Sequence, residues 1–157
     1  MKKFTSSILI AAMLSVSLPL TSQAPCVLYH RTECGSAASE AGFMYNSQSK
    51  SGLFAPGTTS KLKCIFYEGL DYSITICAEK ALGDGIGFTL TDAKTGELLY
   101  DNATEGKSPH MEFSCETTRN MVITVTVPGA GPKKGKTADG ACLGILIEQK
   151  KTPKVGF

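Results

Sequence analysis

Cysteine is the residue type with the most evident chemistry in this chain of 157 residues. The six cysteines are Cys26, Cys34, Cys64, Cys77, Cys115 and Cys142. No two of them follow the C-x2-C spacing, and His30 and His110 are the only histidines, so the usual pattern of zinc ligands is absent. An even number of cysteines in a small exported domain predicts three disulfides instead.

The sequence does not fix how these cysteines pair. Seven residues separate Cys26 from Cys34, which permits a tight loop and makes this local pair the favoured one. Cys64 and Cys77 would face each other if their strands formed a simple hairpin. They would not if the chain crosses between two sheets there, so this pairing stays open.

Catalytic chemistry has little support. A nucleophilic thiol with His110 as its base would be exposed to oxidation and exchange outside the cytosol. The serine-hydrolase motif G-x-S-x-G, the zinc-protease motif H-E-x-x-H and phosphate-binding loops do not occur in the sequence. The sequence therefore predicts a protein that is not an enzyme and has no cofactor.

Acidic residues gather around one expected hairpin. Asp92, Glu97 and Asp101 could supply oxygen ligands to calcium, but ordinary turn chemistry is the favoured interpretation, with Asp92 accepting from its own backbone and Gly96 at positive φ. The sequence Asn-Ala-Thr at 102–104 fits an N-glycosylation site. Because the start of the chain is bacterial in type, we expect no glycan there.

Charge and aromatic residues say little about a ligand. The formal net charge of +2 is too small to indicate a nucleic-acid binder. Lysines at 133–136 and at 150–154 could contact an acidic polymer, but solvated loops and tails are commonly lysine-rich. The aromatic residues least committed to a core are Tyr29, Tyr45, Phe54 and Tyr100. Even these are more often packing residues than a platform for sugar.

The N-terminus has the layout of a secretory signal peptide. Residues 1–3 are basic at two positions, 8–20 are mostly apolar, and 21–24 are small or polar, so we expect cleavage near residue 24. Removing this segment leaves 14 basic and 14 acidic residues. Cys26 could carry a lipid, but that would leave an odd number of cysteines, so soluble export to the periplasm or the extracellular space is favoured.

The elements that position these residues can be read from the periodicity. We expect a disulfide-tied segment at 25–57 with one short helix at 36–44, an extended stretch at 51–54 and a turn at 56–57. From residue 58, apolar residues alternate with polar ones in short runs separated by glycine-containing turns, which is typical of half-buried antiparallel strands. The prediction is an all-β sandwich over 58–150, followed by a flexible basic tail at 151–157.

The pattern also resembles a known group of domains. Gly69 and Tyr72 match a Gly-x-x-Tyr step at which a strand crosses between sheets, and residues 88–102 match a strand-turn-strand unit with Asp92 and Gly96 in its turn. In these features residues 58–150 resemble the jelly-roll domains of secreted bacterial proteins, including the pre-peptidase C-terminal type and related accessory sandwiches. The resemblance implies a jelly-roll fold and an accessory role.

These observations favour an exported binding or interaction module without enzymatic activity, which meets an envelope protein or a glycan. The alternative is a structural or accessory subunit of a surface assembly. A third hypothesis is a small hydrolase, for which His110 is the main candidate base. Nucleic acid is not an expected partner, and no stretch after the signal peptide is long and apolar enough to span a membrane.

Overall fold

The computed structural model describes residues 26–35, 41–129 and 140–153. It contains one short helix, α1 (Tyr29–Thr32), and two 3-10 turns, Lys80–Leu82 and Asn102–Glu105. The strands are β1 (Met44–Tyr45), β2 (Lys50–Phe54), β3 (Thr59–Phe66), β4 (Leu70–Ala78), β5 (Gly87–Asp92), β6 (Leu98–Asp101), β7 (His110–Cys115), β8 (Arg119–Thr126) and β9 (Ala141–Lys151).

The strands form two antiparallel sheets with jelly-roll connectivity. In the first sheet, β1 and β2 both pair with β9, and the order continues through β4 to β7. In the second sheet the order is β3-β8-β5-β6. The chain is thus rolled up so that β2 pairs with β9, β3 with β8, β4 with β7 and β5 with β6. The predicted all-β, jelly-roll-like sandwich is confirmed.

The alternating residues of the sequence form the core between the sheets. Side chains that share the apolar phase of their strands are buried against one another, namely Phe66, Tyr72, Ile74, Phe88, Leu90, Met121, Ile123 and Val125. Tyr72 also fixes the corner where the chain crosses from β3 to β4, because its hydroxyl accepts a hydrogen bond from the Tyr67 amide at 2.9 Å. This crossing step lies where Gly69, at a φ of 76°, makes the turn.

Strand β9 departs from the alternating pattern, since all of its residues from Ala141 to Glu148 are buried. One face of β9 points into the core, and the other is covered by the N-terminal segment that contains α1. Gly144 makes this cover possible. A Cβ atom there would lie 2.9 Å from both the Cys34 sulfur and the His30 Cα atom.

Several expected boundaries differ from the structure. The described end of the helix expected at 36–44 is not α-helical, because Met44 begins β1, and the α-helix lies earlier, at 29–32. The sheets take in residues 44–54, which lie before the expected start of the sandwich at 58, because β9 supplies a partner for both short strands.

The start of the expected flexible tail also belongs to the fold. Lys151 is the last residue of β9, and Thr152 donates through its amide to Gly69 at 3.0 Å and through its hydroxyl to Asp71 at 2.7 Å. The signal peptide predicted at 1–24 and the lysine loop at 133–136 lie outside the described residues. Within the described residues, no helix has the length and apolar character needed to cross a membrane.

Candidate functional site

The disulfides are two rather than the expected three, and all six cysteines lie among the described residues. Cys26 is bonded to Cys142 and Cys34 to Cys77, with Cα–Cα distances of 5.2 and 5.1 Å. The favoured Cys26–Cys34 pair was wrong, because the segment between the two cysteines lies along the outer face of the first sheet. It directs Cys26 to β9 and Cys34 to β4.

The remaining two cysteines are thiols buried in the core. The crossing from β3 to β4 places Cys64 in the core and Cys77 on the outer face, so these two cannot pair as in a simple hairpin. Burial raises the pKa of the Cys64 thiol to about 11, and burial also raises the pKa of Cys115. Such thiols are poor nucleophiles at neutral pH.

His110 does not lie beside a thiol. It precedes Cys115 by five residues on β7, so the two side chains point to opposite faces of the sheet. On the outer face, its Nδ1 atom lies 3.0 Å from the Thr75 hydroxyl and its Nε2 atom 3.3 Å from a Glu112 carboxylate oxygen. This is a hydrogen-bonded chain on a sheet surface, with 39% of the histidine side chain exposed.

The acidic residues of the β5–β6 hairpin make turns. Asp92 accepts from the amides of Lys94 and Thr95 at 2.8 and 2.9 Å, and these bonds, that from Thr95 foremost, lower the pKa of Asp92. Asp101 accepts from the Ala103 amide at 2.8 Å. Neither these carboxylates nor Glu97 belongs to any group of three or more candidate metal ligands within residues 26–35, 41–129 and 140–153.

Asn102 of the Asn-Ala-Thr sequence, at which no glycan was expected, is a structural residue. Its side chain is completely buried. It accepts from the Phe88 amide at 2.9 Å and donates to the carbonyls of Ile86 and Ser108 at 2.9 and 3.2 Å. A side chain used in this way is not accessible to a glycosylating enzyme.

Exposed apolar side chains are concentrated on one side of the sandwich. Here the first sheet ends in β1 and β2 and the second sheet ends in β3, and we call this side the β2–β3 edge. Nine large hydrophobic side chains of the described residues are exposed. Five belong to β1, β2 or the end of β3, namely Met44, Tyr45, Leu53, Ile65 and Tyr67, and two more, Val27 and Leu28, belong to the N-terminal segment beside β2 and β9. A cluster of this kind is typical of an interaction site.

Tyr45 is held rigidly at this edge. Its hydroxyl lies 3.2 Å from His30 Nε2, and the Arg31 guanidinium carbon lies 4.1 Å from the centre of its ring. His30 is itself buried and fixed to Ser51 of β2 at 2.8 Å. Tyr45 nevertheless remains 39% exposed, so it presents a fixed aromatic surface at little entropic cost to binding.

A groove of about 510 Å³ lies next to Tyr45, lined by tyrosine and amide side chains. Tyr67 forms its other wall and is 51% exposed. Gln48 closes one end of the edge, because its side-chain amide donates to the Ile65 carbonyl at 2.9 Å and accepts from the Ile65 amide at 2.7 Å. Gln48 therefore occupies the backbone groups that a neighbouring strand would use.

Of the four aromatic residues singled out in the sequence, the structure brings Tyr45 to the candidate site. Tyr100 packs on Phe88 with ring centres 5.0 Å apart, and Phe54 packs against the core. Tyr29 lines a separate concavity beside Cys142. Tyr67 was missed, although it follows Phe66 in an alternating strand and so had to face outward.

Basic side chains border the same edge. Arg31, Lys50, Lys61 and Lys63 are all exposed, and Lys50 and Lys61 line one cleft between β2 and β3. Burial lowers the pKa of His30 most, and the charges of Arg31 and Lys50 add to the effect. The edge therefore combines exposed apolar surface with positive charge.

Comparison with known proteins adds little about the function. No protein-family model matches this chain, and no curated protein sequence does. The crystal structure of PliG from Aeromonas hydrophila, a periplasmic lysozyme inhibitor of g-type lysozyme, is similar over 65% of this chain and 84% of that chain. The TM-score is 0.47 and the sequence identity is 10%, so this likeness carries no argument about a ligand. The resemblance to pre-peptidase C-terminal domains stays a prediction.

Proposed function

We propose that this protein is an exported, non-enzymatic binding module that contacts a partner of the cell envelope or extracellular space through the β2–β3 edge. The concentration of exposed apolar side chains at this edge carries the proposal. The outer face of β9 is covered by the N-terminal segment around α1, whereas the edge leaves Met44, Tyr45, Ile65 and Tyr67 in solvent.

Two disulfides support export, because such bonds persist in oxidising compartments. The sulfur of Cys26 is bonded to Cys142, which leaves it unavailable for a lipid and supports a soluble protein over an anchored one. A protein partner is favoured over a glycan at Tyr45, because Arg31 covers one face of the ring on which a sugar would stack.

The test compares two double variants of the mature protein as bait for envelope and culture-supernatant proteins. Replacing Tyr45 and Tyr67 by alanine removes the aromatic walls of the groove. The matched control replaces Leu98 and Leu99, two exposed residues of β6 on the opposite edge, by alanine. We expect a captured partner to be lost with the tyrosine variant and retained with the leucine variant. Equal capture by both variants would contradict the proposal.

The same variants address the alternative of a subunit in a surface assembly. Size-exclusion chromatography at rising concentration would show self-association for such a subunit, and a stable monomer at high concentration would argue against it. The hydrolase hypothesis rests on the Thr75–His110–Glu112 chain. It would be supported only by a hydrolytic activity that disappears in His110→Ala.

A further inference from the structure

We propose that the cleft between β2 and β3 binds an extended acidic segment of a partner protein as an additional strand beside β3, with an apolar side chain of that segment inserted in the cleft. This inference rests on the proposed function and specifies the class of partner. Four observations carry it: the shape of the cleft, its floor, the free backbone of β3 and the charges on its rim.

The cleft lies between the last strands of the two sheets. Gln48 bonds the Ile65 backbone at one end, and the turn at Pro56 and Gly57 joins the strands at the other. Between them the two strands separate around a space of about 230 Å³. This is smaller than the ~300 Å³ at which pockets for whole small ligands begin, and therefore suits a single inserted side chain.

The floor of the cleft is the apolar core itself. Phe54, Leu62, Leu143 and Ile145 line it, and the last two belong to β9 beneath β2. Gly52 leaves the space open, because a Cβ atom built there would meet only a ring carbon of Phe54, at 3.7 Å. A branched side chain at this inward-facing position would extend into the cleft.

The backbone of β3 is available for strand pairing. Ile65 bonds Gln48 through both its amide and its carbonyl, so its polar backbone groups point away from β8. In an antiparallel pair this orientation recurs at every second residue, which places the backbone groups of Lys63 and Lys61 on the same open side. Gln48 thus imitates the first hydrogen bonds of an added strand, and none of the strands in the described part of the chain pairs with β3 at the next positions.

The charges on the rim select the partner. Lys61 and Lys63 project from the solvent face of β3, in phase with Ile65 and opposite to the buried Cys64. A strand added beside β3 would place its own solvent-facing residues next to these lysines while its alternate residues face the cleft. Opposite charges at such cross-strand positions are favourable, and like charges are unfavourable, so the segment should alternate acidic with apolar residues.

The experiment uses two fluorescein-labelled peptides with the mature protein, and fluorescence anisotropy as the readout. The acidic probe is Thr-Glu-Val-Glu-Leu-Glu-Val-Glu-Thr, and the basic probe replaces each glutamate by lysine. We expect the acidic peptide to bind about tenfold more tightly than the basic one, because two opposite-charge pairs replace two like-charge pairs. Gly52→Val should weaken the acidic peptide by about tenfold or more, because the valine occupies the cleft.

A charge exchange makes the test specific. The double variant Lys61→Glu and Lys63→Glu should prefer the basic peptide, which a merely destabilised protein would not do. Unchanged affinity in Gly52→Val, or equally tight binding of polyglutamate or dextran sulfate, would overturn strand addition in favour of plain electrostatic attraction. A further outcome is a partner that is captured by the parent and by Gly52→Val but not by the double variant of Tyr45 and Tyr67. That result would overturn this inference and leave the proposed function standing.

Discussion

At the residue scale, His30 links the N-terminal segment to the edge that we propose to be functional. Its ring bonds Ser51 of β2 and Tyr45 of β1, and the Ser51 hydroxyl in turn donates to the Cys26 carbonyl at 2.6 Å. Burial, and after it the positive charges of Arg31 and Lys50, lowers the pKa of His30 and so disfavours a charged imidazole. The folded environment of His30 therefore favours the neutral imidazole.

This arrangement predicts a loss of stability in mild acid. The pKa of His30 is below its ordinary value of 6.5 in the folded protein, so the unfolded chain binds a proton more readily. The contribution of neutral His30 to the unfolding free energy is complete above pH 6.5. It declines as the pH falls from 6.5 towards the pKa of His30 in the folded protein, by at most about 1.4 kcal/mol per pH unit. Urea unfolding between pH 7.5 and pH 5 would measure it.

The control for this prediction is the replacement of His30 by a residue that does not titrate. His30→Gln should flatten the dependence of the unfolding free energy on pH over this range, even if the variant is less stable throughout. Parallel curves for His30→Gln and the parent would show that another group is responsible.

At the element scale, β9 explains both what the sequence predicted and what it did not. Strands with one solvated face, such as β3 and β8, alternate in hydrophobicity, and their core residues were predicted in the correct phase. Strand β9 is buried on one face by the core and on the other by α1, and the contact with α1 joins residues that are far apart in the sequence. Strands β1 and β2 pair with β9, and Gln48 contacts Ile65. These contacts join residues about 17 to 100 positions apart, so no local sequence pattern predicts them.

A substitution at Gly144 tests how closely α1 packs on β9. In Gly144→Ala the new methyl group would overlap the Cys34 sulfur and the His30 backbone, both at 2.9 Å, and the Cys77 sulfur at 3.0 Å. We expect the unfolding free energy to fall by about 1–3 kcal/mol. Hydrogen exchange should rise in α1 while β3 and β8 keep their protection. Gly52→Ala, whose Cβ has only one neighbour at 3.7 Å, should be neutral or slightly stabilising.

At the scale of the whole molecule, the two disulfides connect elements that are distant in sequence. Cys26–Cys142 spans 116 residues and Cys34–Cys77 spans 43. In the chain-entropy description, loops of these sizes restrict the unfolded chain enough to contribute about 4–5 kcal/mol each. Both bonds also hold the N-terminal segment on the first sheet, because one joins it to β9 and the other joins it to β4.

The two buried thiols allow the disulfide connectivity to be tested. The even number of cysteines predicts three disulfides, whereas the structure has two. Because Cys64 and Cys115 lie in the core and burial raises the pKa of each thiol, the native protein should not react with iodoacetamide at pH 8. Unfolded in guanidinium without a reductant, each chain should take up two equivalents, since two cysteines are unbonded. Mass spectrometry of the peptides should place both labels on Cys64 and Cys115 and leave Cys26 linked to Cys142. Absence of labelling after unfolding would mean that these two core thiols are joined in the purified protein, and labelling of the native protein would mean that the two sheets separate readily.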